Sequence, residues 1–302
     1  MAEAAAAGSP EPQDQPTSAV PLKAQTSARG DTAQDHSAPA PFEAVDAAFN
    51  SLPGWSWVGT YGGYYLQADV LAGFEHGFFT RLWQGRKPEE LAAHVSAGIS
   101  VHRPKQIHSA RVLAASQAAC APWPEADGLV SDGGGQSLWV CGADCTPVLF
   151  ADPASGRVAA CHAGWRGVAG RILPEAVARL KATGSDPAAL RVALGPAVSG
   201  RSYPVERWVS LEVAASLRLG GEANEQALQE LIACGSVDVG RDPQRDHLDL
   251  RTAILEQLRQ EGIAMQNCSS CPLCTVEEAR LFHSWRRDQR KAVQWSGIVS
   301  QS

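Results

Sequence analysis

Three residues with metal-binding or nucleophilic side chains stand at the edges of apolar segments in this sequence. They are His108 in "QIHSARV", Cys145 in "CGADCTPVLF" and His162 in "CHAGWRG". Intervals of 37 and 17 residues separate them. Zinc fingers bring their ligands in close pairs, and this spacing does not. It fits a catalytic zinc, for which three protein ligands gather from separate strands and leave a fourth position open. Two other readings stay open on the residues alone. Buried cysteines, and histidines beside strands, are often plain core residues. Cys145 and His162 are also the types of a nucleophile and its general base.

Charge gathers around these three. The run 157–161 reads as a buried strand whose alternation sends Cys161 and His162 to opposite faces. Gly164 and Gly167 let the backbone turn tightly and approach a neighbour closely. A helix expected to start near Val168 aims its first amides at an anion, with Arg166 beside them. "FHSWRRDQR" sets Arg286 and Arg287 behind Trp285, and one of the two suits a phosphate or carboxylate. Asp144, next to Cys145, is placed to move a proton or to orient a ligand histidine. "LGPAVSGRSYPV" reads as a loop at a strand end. Cys268, Cys271 and Cys274 are spaced like a metal motif, but no fourth ligand is evident nearby, so a thiol-bearing surface loop is expected. Cys141, Cys161 and Cys234 are expected as small core hydrophobes.

The elements that must hold these residues are legible in outline. Strand-like runs occur at 76–83, 137–142, 146–152, 157–164 and 190–196. Pro147 argues against an uninterrupted central strand through its segment. Helical periodicity places Ile172, Leu173, Ala176, Val177 and Leu180 on one face, with Gly184 as a stop. Segments 249–262 and 224–235 repeat the pattern. Strands interleaved with helices predict a single α/β sandwich over residues 42–302, with a mixed β-sheet and flanking helices.

Residues 1–41 differ: they hold six of the 19 prolines and no aromatic residue. Such a segment is expected to be disordered, because it cannot bury enough apolar surface. One arginine, Arg29, among five acidic residues argues against a transit peptide there. The net charge of −6 argues against a nucleic-acid partner. No apolar run approaches the length of a membrane span. Eight cysteines without a small-domain framework point to reduced thiols and a reducing compartment. A cytoplasmic setting is expected, with a plastid or another organelle as the alternative.

Taken together, "HGFFTR", "QIHSARV", "ADCTPVLFADP", "HAGWRG", "LGPAVSGRSYPV" and "FHSWRRD" resemble the laccase-domain or YfiH-like proteins. These were first labelled polyphenol oxidases and later recognised as purine nucleoside phosphorylases. The resemblance runs from Phe74 to Val299. It implies zinc held by His108, Cys145 and His162, with copper and laccase chemistry as the less favoured claim. The implied reactions are phosphorolysis of adenosine, inosine and methylthioadenosine, and deamination of adenosine. Purine nucleoside and inorganic phosphate are then the partners, with Arg166 and Arg286 as phosphate holders. Some related bacterial proteins suggest an alternative, a Cys–His hydrolase of an amide such as a peptidoglycan precursor. The chain departs from the family pattern in several places. Ser109 replaces a glycine and Pro204 a carboxylate. Arg201 stands where a cysteine is frequent. His283 and Trp285 replace the aromatic residues of "FFSYRRD".

Overall fold

The computed structural model describes residues 51–96, 99–217, 225–239 and 244–301. The expected tail, and the first residues of the expected domain up to 50, lie outside the described residues. In chain order the first strands are β1 (Trp55–Thr60), β2 (Gly63–Ala68), β3 (His76–Phe79), β4 (Ser100–His102) and β5 (Val112–Ala114). Next come β6 (Gly128–Val130), β7 (Gln136–Gly142), β8 (Thr146–Ala151), β9 (Val158–Ala163) and β10 (Arg191–Leu194). The last are β11 (Pro204–Glu206), β12 (Val237–Val239), β13 (Arg245–Leu248), β14 (Cys268–Ser270) and β15 (Gln294–Val299).

They form two six-stranded sheets, ordered β1-β2-β3-β15-β7-β4 and β14-β10-β8-β9-β6-β5, and a small sheet β11-β13-β12. Both large sheets are mixed: β4 runs parallel to β7, β14 to β10 and β5 to β6. The expected mixed α/β sandwich is present, and it has two large sheets. The reason lies at residues 143–145. Strands β7 and β8 flank this turn, yet they belong to different sheets. The turn carries the chain around the edge of the sandwich, so Asp144 and Cys145 sit at a corner. Pro147 is the second residue of central strand β8, directly after that corner.

Alternation divides each central strand between two cores. Leu149 and Ala151 of β8 meet Leu138 and Val140 of β7 between the sheets. Val148 and Phe150 face the helices instead. On the outer side of the first sheet, Trp139 packs with Phe79, Trp83 and Leu91. Strands buried on both faces read as continuous apolar runs.

The helices are α1 (Pro88–Val95), α2 (Trp165–Ala169), α3 (Ile172–Ala182), α4 (Arg207–Ala215), α5 (Glu225–Ala233), α6 (Leu250–Gln260) and α7 (Trp285–Asp288). The five α3 residues expected on one face are all buried. Gly184 and Gly262, at φ +99° and +90°, end α3 and α6 in a left-handed conformation that other residues rarely adopt. Asp249 caps α6 by accepting from the amides of Arg251 and Thr252. The helix expected near Val168 starts earlier, at Trp165, and lasts only five residues. A Cβ at Gly170 would stand 2.9 Å from Ala110 Cβ, so the chain is pressed against the 108–110 loop and restarts as α3. No helix among the described residues is long and apolar enough to cross a membrane.

Candidate metal centre

Three segments converge at the sandwich corner. His162 lies near the end of β9, opposite Pro147 of β8. Cys145 closes the corner turn, and His108 stands in the loop before β5 with φ +62°. Their ligand atoms all lie within 4.8 Å of one another. The His108 and His162 rings meet edge to face with centroids 4.8 Å apart. Gly164 is what allows this approach. A Cβ there would stand 2.8 Å from Cys145 Sγ and 3.5 Å from His108 Cδ2.

The electrostatics suit a cation. Burial alone would push the Cys145 thiol up, but the His162 charge and hydrogen bonds from both histidines pull it down to about 6. For His162, burial disfavours the charged form, and the Cys145 thiolate and Asp127 carboxylate more than offset it. Two imidazoles and a thiolate are soft-to-borderline donors of the kind that bind zinc. With three protein ligands, such a site keeps a position for water or substrate.

Asp127 organises this set, and the sequence reading missed it. It is fully buried. Its Oδ1 takes hydrogen bonds from His162 Nδ1 at 2.9 Å and from the His108 amide at 3.0 Å. Its Oδ2 accepts from the amides of Ile107 (3.2 Å) and Ser109 (2.6 Å) and from Ser109 Oγ (2.8 Å). Burial opposes ionisation of this carboxyl, and the His162 and Ser109 hydrogen bonds override it to hold it at about 2. Binding Nδ1 to a carboxylate fixes the ring and leaves Nε2 for a metal. Ser109, where the family pattern has glycine, thus adds a donor behind the ligands. Asp127→Asn is expected to weaken metal binding about 10- to 100-fold. Chelator competition on the purified variant measures it; unchanged affinity would mean that β9 alone orients His162.

Gln106 is a second missed residue. Its amide exchanges two hydrogen bonds of 2.7 Å with the backbone of Cys141 and so ties the His108 loop to β7.

The triad forms part of the wall of a cleft of about 800 Å³, a size that suits a small organic ligand. Arg166 and Arg286 also line it. Arg166 lies 4.4 Å over the Trp165 ring, and Arg286 lies 4.6 Å over Tyr203. Arg286 Nη1 also donates to the Pro204 carbonyl at 3.0 Å. Arg290 and Lys291, not singled out from sequence, add two more cations to the lining. Arg287 points elsewhere: it pairs with Asp288 and donates to the carbonyls of Thr275, Val276 and Phe282.

Several expectations need correction. Asp144 lines the cleft but does not orient a ligand histidine; Asp127 does. Both Asp144 oxygens are engaged elsewhere, by Thr275 Oγ1 at 2.6 Å and the Arg286 amide at 2.7 Å. The thiol cluster is not a surface loop. Cys268 is on strand β14, which pairs with β10, while Cys271 and Cys274 are buried. Among the described residues, His108, Cys145 and His162 are the one group of three or more that gathers as a metal site. Of the expected core cysteines, Cys161 is buried, Cys141 is half-buried on the cleft wall and Cys234 is exposed.

With the geometry in place, comparison with known proteins is decisive for the family. Residues 86–300 match the family described as multi-copper polyphenol oxidoreductase laccase. The chain belongs to this family. Within the laccase-like proteins, a purine nucleoside phosphorylase of Synechocystis sp. is 39% identical over 256 residues, covering 82% of this chain and 97% of the relative. A purine nucleoside phosphorylase of Streptomyces coelicolor is 36% identical over 208 residues, 66% of this chain and 76% of the relative. Among solved structures, YlmD from Geobacillus stearothermophilus aligns with a TM-score of 0.68 at 23% identity, over 82% of this chain and 99% of its own, and so shows the shared fold. YfiH from Bacillus licheniformis aligns with a TM-score of 0.67 at 25% identity, over 78% and 96%. The laccase-like resemblance expected from the motifs is borne out, and all three triad residues lie inside the matched span.

Proposed function

We propose that this protein is a zinc-dependent purine nucleoside phosphorylase acting on adenosine, inosine and methylthioadenosine, with adenosine deaminase activity. One observation carries the proposal. A His–Cys–His set and two arginines share one cleft in a chain whose relatives are named purine nucleoside phosphorylases. Zinc is the ion proposed, because two imidazoles and one thiolate are the kinds of donor that zinc takes in catalytic sites.

His108, Cys145 and His162 would hold the ion, and Asp127 keeps His162 in the tautomer that leaves Nε2 free for it. A zinc bound there would supply Lewis acidity, which lowers the pKa of water towards about 7. In phosphorolysis, a phosphate oxygen attacks the ribose C1′. The bond from C1′ to the base nitrogen breaks, and its electron pair leaves with the base, which takes up a proton. Arg166 and Arg286 hold the phosphate dianion against C1′ and balance its charge. Asp144 serves as a positioning carboxylate, because its bond to the Arg286 amide fixes the segment that carries that guanidinium. Deamination needs water in place of phosphate: its oxygen bonds to the purine C6, the bond from C6 to the amino nitrogen breaks, and ammonia leaves with a proton from the water. The lowered Cys145 thiol also fits a cysteine nucleophile. A nucleophile pair needs one imidazole, however, and here two converge on the sulfur. Action on freely diffusing nucleosides agrees with a cytoplasmic setting.

The test is incubation of zinc-loaded protein with adenosine, with and without phosphate, followed by separation of products. Adenine and ribose 1-phosphate are expected with phosphate, and inosine alone without it. Release of neither would reject the reading. Full activity of metal-stripped protein would favour the cysteine nucleophile.

A further inference from the structure

We infer that Trp285 is the platform on which the nucleoside base stacks, and that it gives the cleft its preference for purines. This rests on the phosphorylase reading above. The cleft has three aromatic side chains, Trp165, Tyr203 and Trp285. Two of them are already occupied. Trp165 carries the Arg166 guanidinium and meets Trp208 in a T-shaped contact, and Tyr203 carries Arg286 and is buried. No described residue stacks on Trp285, whose side chain stays 50% exposed. A half-bare indole in a cleft that holds cations and metal ligands is an apolar surface awaiting a flat partner. Bases stack on such rings whatever their edge groups, because every base has a π-face.

The mount is rigid. Ser284 Oγ accepts from the Arg287 amide at 3.1 Å, and the Trp285 carbonyl accepts from the Gln289 amide at 2.9 Å. Asp144, the residue before the Cys145 ligand, accepts from the next amide along, that of Arg286. A single carboxylate therefore ties the platform to the metal corner. Among the positions where the chain departs from its family pattern, Trp285 is the one that lines the cleft. Ser109 lies behind the ligands, Arg201 pairs with Glu277, the Pro204 carbonyl holds Arg286, and His283 lines a separate pocket.

Stacking reads a face and not an edge, so adenosine and inosine should share the platform equally. A bicyclic base covers more indole than a pyrimidine does, so purines should bind better than uridine. Trp285→Ala is expected to raise KM for adenosine and for inosine by a common factor of roughly 5- to 150-fold. KM for phosphate should not change. The preference over uridine should narrow, and Trp285→Phe should recover most of the loss. Equilibrium dialysis of labelled inosine on metal-loaded protein, without phosphate, should give the same ratio. Unchanged nucleoside KM and binding in Trp285→Ala, with an active wild type, would overturn the platform alone. A wild type that neither binds nor turns over nucleosides would overturn the phosphorylase reading and the platform with it.

Discussion

Cys145→Ala is expected to abolish phosphorolysis and deamination together. The substitution removes the one sulfur ligand and the anionic charge that balances the cation. Lewis-acid stabilisation of several kcal/mol depends on that cation, and about 4 kcal/mol is roughly a thousandfold in rate. Metal content should fall in parallel. Folding should survive, because Cys145 stands in a turn at the sandwich corner and not between the sheets. A melting temperature close to wild type, with activity and zinc both lost, is the expected pattern. Wild-type activity in this variant would end the proposal. Loss of activity with zinc retained would instead assign Cys145 as a nucleophile held between two histidines.

The candidate site was legible from the sequence only in part. His108, Cys145 and His162 each stood out because a reactive side chain broke an apolar run. Their meeting could not be derived from spacing, since sheet pairing between distant strands brings them together. Asp127 shows the limit best. It sits in "EADGLV", where Asp-Gly reads as an ordinary turn. Its role comes from the pairing of β6 with β9, in which Gly128 lies opposite Cys161, next to His162. Nothing local to either residue encodes that register.

The fold was legible at the level of elements. The runs around β7, β8, β9 and β10 and the faces of α3 and α6 were marked by apolar content and glycine stops. The division into two sheets was hidden, because β7 and β8 are apolar on both faces and adjacent in sequence. Only the turn 143–145 separates them, and three residues give no sign of whether a chain folds back on its own sheet or crosses to another. The glycines of "HAGWRG" were read as clearing space, and the structure divides that task between two neighbours. Gly164 makes room for Cys145 and His108. Gly167 makes room for the backbone of Ser109, whose carbonyl oxygen would lie 3.3 Å from a Cβ there. The second of these requires the His108 loop to be docked, which sequence alone does not reveal.

Arg166→Ala is expected to separate the two reactions. Arg166 is exposed at the cleft, and its guanidinium rests on the Trp165 face without an ion pair among the described residues. Its charge is therefore free for an anionic substrate. Arg286 differs, since it already donates to the Pro204 carbonyl and lies over Tyr203. Removing a charged hydrogen-bond partner of phosphate costs about 2–4 kcal/mol, or roughly 30- to 1,000-fold in rate. That loss should appear in phosphorolysis, chiefly in kcat/KM for phosphate. Deamination uses water and the metal, so it should change only slightly. Losing the ring contact at an exposed site costs on the order of 0.5–1 kcal/mol, so the melting temperature should move little. Arg166→Lys should restore part of the phosphorolysis, because a point charge still attracts phosphate but lacks the paired donors of a guanidinium. Steady-state kinetics of both reactions on the same preparation measure the ratio directly. Equal slowing of both reactions would make Arg166 a support for the Trp165 wall and would leave Arg286, Arg290 or Lys291 to hold the phosphate.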